Sequence, residues 1–167
     1  MTSKSASDAG KSLLMSITQL CNLMLAGKVN ALICPILYGA SLCALKKKDG
    51  GFRPIAVGNV FRRLTAKLAC HVVREDVGNY FRPPQVGFAT QHGCEAAIHA
   101  VRTFANAPKN VGKVLLKIDY KNAFNSVERD IMLQKVSTKT LSLFPFLWQC
   151  YSSSTDLLFG NQVIPSL

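Results

Sequence analysis

The alternation of hydrophobic and polar positions divides the first half of the chain into helices around one hairpin. Apolar residues recur at helical spacing across residues 13–25, and Gly27 follows as a helix stop. Residues 41–45 and 52–57 have the short apolar pattern of strands, and Asp49-Gly50-Gly51 is a strong turn signal between them. The same spacing argument predicts two further helices, at residues 62–80 and 95–105.

The second half of the chain begins with an apolar run at residues 114–118. This run predicts a buried strand that ends at Asp119. Asn125, with Glu128 three residues later, resembles a capping box that would open a helix. The mixed order of helices, hairpins and a strand predicts an α+β fold rather than an alternating parallel one. Two shorter elements complete this prediction, a helix at residues 141–151 and a hairpin at residues 157–164.

The composition is that of a basic domain with a sizeable core. Hydrophobic residues make up 49% of the 167 residues and charged residues only 17%, against about 25% in typical soluble domains. This balance fits either an apolar surface that expects a packing partner or a compact, well-buried domain. The net charge of +11 favours a polyanion such as nucleic acid. One stretch, with Asp49 as its single acid, is especially basic: Lys46, Lys47, Lys48, Arg53, Arg62, Arg63, Lys67 and Arg74.

Cysteine usage and the N-terminal residues predict an intracellular protein without a membrane span. The six cysteines have no zinc-binding spacing, and most lie in apolar runs, so we expect reduced core thiols. The longest uncharged stretches are shorter than the about 18 residues that a transmembrane helix needs. Residues 1–10 are a predicted disordered start without a signal core. Residues 11–40 are predicted to form an N-terminal helical segment.

Two groups of residues indicate phosphoryl-transfer chemistry. A carboxylate at the end of a buried strand, such as Asp119, can hold a metal ion. The upstream hairpin carries Lys46, Lys47, Lys48 and Arg53, and the planar fork of an arginine fits phosphate oxygens. Phosphoryl transfer requires charge neutralisation and alignment, with two metal ions about 3.5–4 Å apart held by carboxylates. Asp119 as a metal ligand and the basic hairpin as a phosphate-binding element together suggest a polymerase.

These residues resemble a reverse transcriptase, most closely the type found in non-LTR retrotransposons. The fingers pattern Leu-x-Lys-Lys-x-Gly-Gly-x-Arg-Pro-Ile matches residues 45–55, and the pair Arg62-Arg63 follows. Residues 84–88 resemble the Gln-x-Gly-Phe segment, and residues 119–126 match the first palm motif, Asp-x-x-Asn-Ala-Phe-Asn-Ser. The resemblance covers about residues 41–167 in family order. It implies a partial polymerase fold of fingers and palm, with antiparallel hairpins and packed helices.

The resemblance implies a role for each matching residue. Asp119 corresponds to the aspartate that binds both catalytic Mg²⁺ ions, and the carbonyl of Tyr120 to a further metal ligand. Phe124 corresponds to the aromatic gate that excludes a 2′-hydroxyl from the incoming sugar. Arg53, helped by Lys47 or Lys48, would hold the triphosphate of a dNTP. A nucleic-acid template and primer would contact the remaining basic residues, Lys46, Arg62, Arg63 and Lys67.

The chain departs from the family pattern after Asp119. It contains neither a Gln-Gly-Asp-Pro segment nor a Tyr-x-Asp-Asp turn, and its later carboxylates are limited to Glu128, Asp130 and Asp156. We therefore expect residues 41–167 to be a truncated N-terminal part of the domain, inactive as an isolated chain. The rest of the palm and the thumb are its expected packing partner. A single carboxylate should bind Mg²⁺ weakly.

Two alternative interpretations remain open. In the first, the chain is a non-enzymatic nucleic-acid-binding remnant that uses the basic face between Lys46 and Lys67. In the second, it is a decayed mobile-element fragment without a biochemical role. The individual residues also have structural alternatives. The three lysines fit a solvated turn, Arg62 and Arg63 a satisfied surface pair, and Phe124 a core position.

The resemblance to a mobile-element enzyme implies the nucleus as a place of action.

Overall fold

A computed structural model describes residues 7–110, 112–121 and 123–166. Its elements form an α+β fold, as predicted, although one predicted strand is missing. Single turns of 3₁₀ helix lie at Pro108–Asn110, Ala123–Ser126 and Leu141–Leu143. The α-helices of this part are α1 (Asp8–Leu25), α2 (Cys34–Leu37), α3 (Val60–Phe81), α4 (Gly93–Asn106), α5 (Arg129–Lys139) and α6 (Phe144–Tyr151). The strands are β1 (Ala40–Lys46), β2 (Phe52–Gly58), β3 (Asp156–Phe159) and β4 (Gln162–Pro165).

The two predicted hairpins join into one mixed sheet of order β2-β1-β3-β4. Strands β1 and β2 are antiparallel, with Leu45 opposite Arg53, and β3 and β4 are antiparallel as well. Strand β1 runs parallel to β3 over the pairs Ala40–Leu157 and Ser41–Leu158. The parallel contact was not predicted, because hairpin turns are local in sequence whereas β1 and β3 are more than a hundred residues apart.

Helix α1 begins and ends with local signals that the sequence carries. The hydroxyl of Ser7 accepts a hydrogen bond from the amide of Gly10 at 3.2 Å, which caps the first turn. After the helix, Gly27 has φ +64°, and a Cβ there would lie 2.6 Å from the carbonyl oxygen of Pro145. Glycine is therefore required both by the backbone angle and by the close approach of the chain near α6.

The chain divides into two compact units. Unit 1 contains residues 1–69 and 128–167, and unit 2 contains residues 70–127. Unit 1 holds the hydrophobic core, which joins α1, α2, the first half of α3 and α6. The buried residues of this core are Met24, Cys34, Tyr38, Ala69, Phe146 and Cys150. Among the described residues, no helix is long and apolar enough to cross a membrane.

Two local predictions in the second half are wrong. Residues 114–118 form no strand, and Val114 and Leu116 are 89% and 80% exposed. A strand needs a neighbour for its amide and carbonyl groups, and the described residues supply none for this segment. The capping box is wrong as well. Glu128, with extended backbone and no side-chain cap, precedes α5, while Asn125 lies in a 3₁₀ turn.

The cysteine prediction is half right, and the N-terminal one falls largely outside the described residues. All six cysteines are free, but only Cys21, Cys34 and Cys150 are buried, and the other three are exposed. Of the predicted disordered start, residues 1–6 lie outside the described part, and α1 already begins at Asp8.

Candidate functional site

The hairpin of β1 and β2 ends in a turn closed by its own backbone. The amide of Lys47 donates to the carbonyl oxygen of Gly51 at 2.7 Å. The amide of Gly50 donates to the carbonyl oxygen of Lys47 at 3.2 Å. Gly50 has φ +86°, which favours glycine. The carboxylate of Asp49 accepts from the amide of Gly51 at 3.2 Å. The one acid of this basic stretch therefore shapes the turn, and it forms no ion pair with the described lysines or arginines.

The end of this hairpin carries the predicted phosphate-binding cations. Lys46, Lys47, Lys48 and Arg53 line an open cavity of about 470 Å³ together with Leu45 and Asp49. All four cationic side chains are exposed. Arg53 lies opposite Leu45 and Lys46 opposite Phe52, so Arg53 and Lys46 point to opposite faces of the hairpin. The hairpin thus presents cations on both faces and at its tip.

The other predicted nucleic-acid contacts lie on α3 and differ in burial. Arg63 and Lys67 are exposed and four residues apart, so they share one helix face. Arg62 is half-buried. Its Nη1 donates to the carbonyl oxygen of Tyr38, and its guanidinium carbon lies 5.4 Å from the centre of the Tyr151 ring. Arg62 therefore has a structural role in unit 1, in addition to the binding role predicted for it.

A polar network around Gln149 was missed by sequence reasoning. The Gln149 amide donates to the carbonyl of Val29 at 2.8 Å, while its oxygen accepts from the Val29 amide and the Tyr38 hydroxyl, both at 3.2 Å. The network ties α6 to the segment after α1 and to α2. One signal was available in the sequence, because Gln149 is a hydrogen-bonding side chain within the otherwise apolar run of α6 and buried polar groups need partners.

Burial changes the titration of the groups around this network. Burial is the main cause that raises the pKa of the Tyr38 hydroxyl above its ordinary value. It also raises the pKa of the Cys150 thiol to about 12, against a smaller opposing effect of the Arg62 cation. The pKa of Cys34 is raised by burial too. These groups are therefore neutral at physiological pH and act as packing and hydrogen-bonding residues, not as nucleophiles.

The predicted metal ligand lies in unit 2, on an irregular and exposed segment. Asp119 follows the apolar residues 114–118 without secondary structure, and the side chain of Tyr120 is 74% exposed. Phe124, in the following 3₁₀ turn, is 96% exposed. Asn122 of the same motif lies outside the described residues. Phe124 is not a core residue here, and the part of the chain described forms no wall for a sugar around it.

The donors in this segment do not by themselves form a two-metal site. Among the described residues there is no group of three or more His, Cys, Asp or Glu side chains that could hold a metal ion. Asp119 is left with the backbone carbonyl of Tyr120 as its predicted companion. Mg²⁺ requires near-octahedral oxygen coordination and gives up water reluctantly, so one carboxylate and one carbonyl do not fit the pair of ions that the family implies.

Comparison with known proteins gives one match. The family model described as reverse transcriptase (RNA-dependent DNA polymerase) matches residues 45–165. This span starts at the basic hairpin, includes Asp119 and ends in β4, and it covers well over half of the chain. The chain therefore belongs to the reverse transcriptase family. No curated protein and no solved structure shows a significant match to it.

Proposed function

We propose that this chain provides the fingers hairpin and the first metal-binding aspartate of an RNA-directed DNA polymerase of the non-LTR retrotransposon type. The observation that carries the proposal is the cluster of Lys46, Lys47, Lys48 and Arg53 at the hairpin turn, inside the family match. The reaction is the attack of a primer 3′-hydroxyl on the α-phosphate of a dNTP, directed by a template.

Within this reaction, the hairpin would hold the triphosphate. Arg53 offers a planar fork of N–H donors, and Lys47 and Lys48 add point charges at the same turn. No described carboxylate pairs with these cations, so they are available to an anion. Because Lys46 projects from the other hairpin face, we assign it to the nucleic acid, together with Arg63 and Lys67 of α3.

Asp119 would become a Mg²⁺ ligand only after residues 114–118 gain a strand partner. The exposed apolar side chains of Val114, Leu116 and Ile118 support this step. Alternate residues of a strand lie on the same face, so these three side chains would be buried together in a palm sheet. The partner strand would have to bring further carboxylates, since the described residues do not form the site alone. Tyr120 and Phe124 would then take the metal-ligand and sugar-gate roles that the family implies.

Primer extension on the purified chain tests the proposal. With Mg²⁺, primer, template and dNTPs, we expect no incorporation above background, because only one of the required carboxylates is present. The matched variant is Asp119→Asn, which should give the same background. Incorporation by the wild-type chain that Asp119→Asn abolishes would show that the residues present already assemble a catalytic site.

Triphosphate binding tests the hairpin independently of catalysis. Arg53→Ala should weaken dNTP binding about tenfold, in line with the loss of a charge-assisted contact. Arg102→Ala, an exposed arginine of α4, removes the same charge elsewhere and should change binding less than about twofold. Equal effects of both variants on dNTP binding would show that Arg53 contributes only its charge and that the hairpin is not a specific triphosphate site.

A second function is favoured by the same exposed cations. We infer that the chain binds nucleic acid without base readout, even where it does not catalyse. Affinity should then fall steeply with salt because the bound phosphates release counterions. Replacing Lys46, Lys47, Lys48 and Arg53 together by Ala should remove most of the salt dependence. Unchanged binding by that variant would exclude the hairpin as the nucleic-acid surface.

A further inference from the structure

Two arginines from distant parts of the sequence approach the same tyrosine ring in unit 1. The guanidinium carbon of Arg62 lies 5.4 Å from the ring centre of Tyr151, and that of Arg129 lies 6.0 Å from it. Both distances fall within the range of cation–π contacts. Arg62 belongs to α3, Arg129 is the first residue of α5, and Tyr151 is the last residue of α6. Three helices therefore place two cations around one aromatic side chain.

Most hydrogen-bond donors of this cluster are unused within the described residues. Arg62 gives one N–H to the carbonyl oxygen of Tyr38. The guanidinium of Arg129 and the hydroxyl of Tyr151 have no hydrogen-bond partner among the described residues, and neither arginine forms an ion pair there. All three residues are half-buried rather than enclosed, so each keeps part of its surface in solvent.

The positions of the arginines on their helices make the cluster electropositive. Both lie in the first turn of a helix, where the backbone dipole already contributes a positive partial charge. Cations are unfavourable at this end, and an anion is stabilised there. The nearest acids in sequence, Glu128 and Asp130, flank Arg129 but are exposed and form no ion pair with it. Solvent screens their charge more strongly than that of the half-buried arginines.

We propose that Arg62, Arg129 and Tyr151 form a binding site for one phosphate group of a nucleic-acid backbone. Two guanidinium forks and a phenol hydroxyl offer N–H and O–H donors suited to phosphate oxygens. The site shares no residue with the hairpin turn and needs no metal ion. It rests on the proposed nucleic-acid binding and deepens it, because it places one phosphate contact away from the hairpin and adds Arg129 and Tyr151 to Arg62. Arg63, next to Arg62 on α3, is exposed and adds positive charge beside it.

Binding of a labelled single-stranded RNA to the full chain tests this site. Arg129→Gln should weaken binding about fivefold at low salt and lower the slope of log K against log salt by about 0.7, the value for one lost phosphate contact on a single strand. The matched control is Lys135→Gln, an exposed cation on the same helix. It removes the same charge and should leave both quantities nearly unchanged. Equal effects of the two variants would overturn the proposal.

A second variant keeps the test valid if Arg129→Gln perturbs folding. Tyr151→Phe retains the ring and its contacts with both arginines but removes the hydroxyl donor. It should weaken RNA binding about threefold without a change in the melting temperature. RNA binding that is insensitive to both Tyr151→Phe and Arg129→Gln would contradict the assignment.

Inorganic phosphate distinguishes the source of the phosphate group. If thermal stabilisation by phosphate is lost in Arg129→Gln while RNA affinity stays constant, the site takes a free anion and the nucleic-acid proposal is wrong. The hairpin variant with four alanines separates this result from the proposed function. If the phosphate site exists, residual RNA binding of that variant should still fall on addition of Arg129→Gln, whatever the outcome of primer extension.

Discussion

Units 1 and 2 differ in how much of their apolar surface they bury. In unit 1, Tyr38 and Met24 are 0% exposed, and Phe146 is 3% exposed. In unit 2, the apolar segment before Asp119 is open to solvent, with Leu116 at 80% exposure. Core burial is the main source of folding free energy. The predicted catalytic motif thus lies in unit 2, beside an exposed apolar segment, while unit 1 holds the hydrophobic core.

The difference follows from how each unit is built from the chain. Unit 1 combines residues 1–69 with residues 128–167. Its core and the β1–β3 pairing therefore bring together residues that are far apart in the sequence. Unit 2 is one continuous stretch whose strand-like segment finds no neighbour among the described residues. An apolar segment without a strand neighbour indicates where a partner strand would pair.

The largest expected effect is on the core of unit 1. Phe146→Ala should lower the free energy of unfolding by about 3–5 kcal/mol, because the truncation removes a buried ring next to Tyr38 and leaves a cavity. Phe124→Ala in unit 2, at a ring that is 96% exposed, should change it by less than about 0.5 kcal/mol. Urea unfolding of both variants measures the contrast, and similar losses would remove the distinction between the units.

A smaller loss is expected from the Gln149 network. Gln149→Leu should cost about 1–3 kcal/mol, because the amide and carbonyl of Val29 and the hydroxyl of Tyr38 lose their partner inside unit 1. Gln134→Leu on the exposed side of α5 is the matched control and should be nearly neutral. If Gln149→Leu is neutral as well, water replaces the network and unit 1 is less closed than its contacts indicate.

Alkaline pH should weaken unit 1 through its buried thiols and phenol. The folded-state pKa of Cys150 is raised from 9.0 to about 12, so between these values the unfolded chain loses a proton that the folded chain keeps. Stability is therefore full below pH 9 and falls from pH 9 to about 12. The loss from Cys150 at pH 10 is about 1 kcal/mol. Melting temperatures across this range, with reductant present, check the effect. Cys150→Ala should make the fall shallower, while the contributions of Cys34 and Tyr38 remain.

Elements defined by local signals could be predicted from the sequence. The turn at Asp49-Gly50-Gly51 and the helix stop at Gly27 depend on backbone angles that few residues adopt. The grouping of Arg53 with the three lysines followed from that hairpin alone. These features need no information about distant parts of the chain, and the structure confirms the turn and the helix stop.

Features that depend on distant neighbours could not be predicted. The parallel pairing of β1 with β3 and the approach of Arg62 and Arg129 to Tyr151 join residues far apart in sequence. The predicted strand before Asp119 failed for the opposite reason. Its apolar pattern describes the side chains that a sheet would bury, but pairing depends on a neighbouring strand, and the described residues supply none.

The smallest expected effect concerns Leu116 and separates the structure from the buried-strand prediction. Leu116→Asp should change the free energy of unfolding by less than about 0.5 kcal/mol, because the side chain is 80% exposed and the new carboxylate stays hydrated. A buried strand at residues 114–118 would make the same change severe, since an unpaired charge would lose its water. Leu133→Asp, at a leucine of unit 1 that is 3% exposed, is the matched control and should prevent stable folding. If urea unfolding shows Leu116→Asp to be as damaging as Leu133→Asp, the segment before Asp119 is buried in solution and unit 2 needs no strand partner.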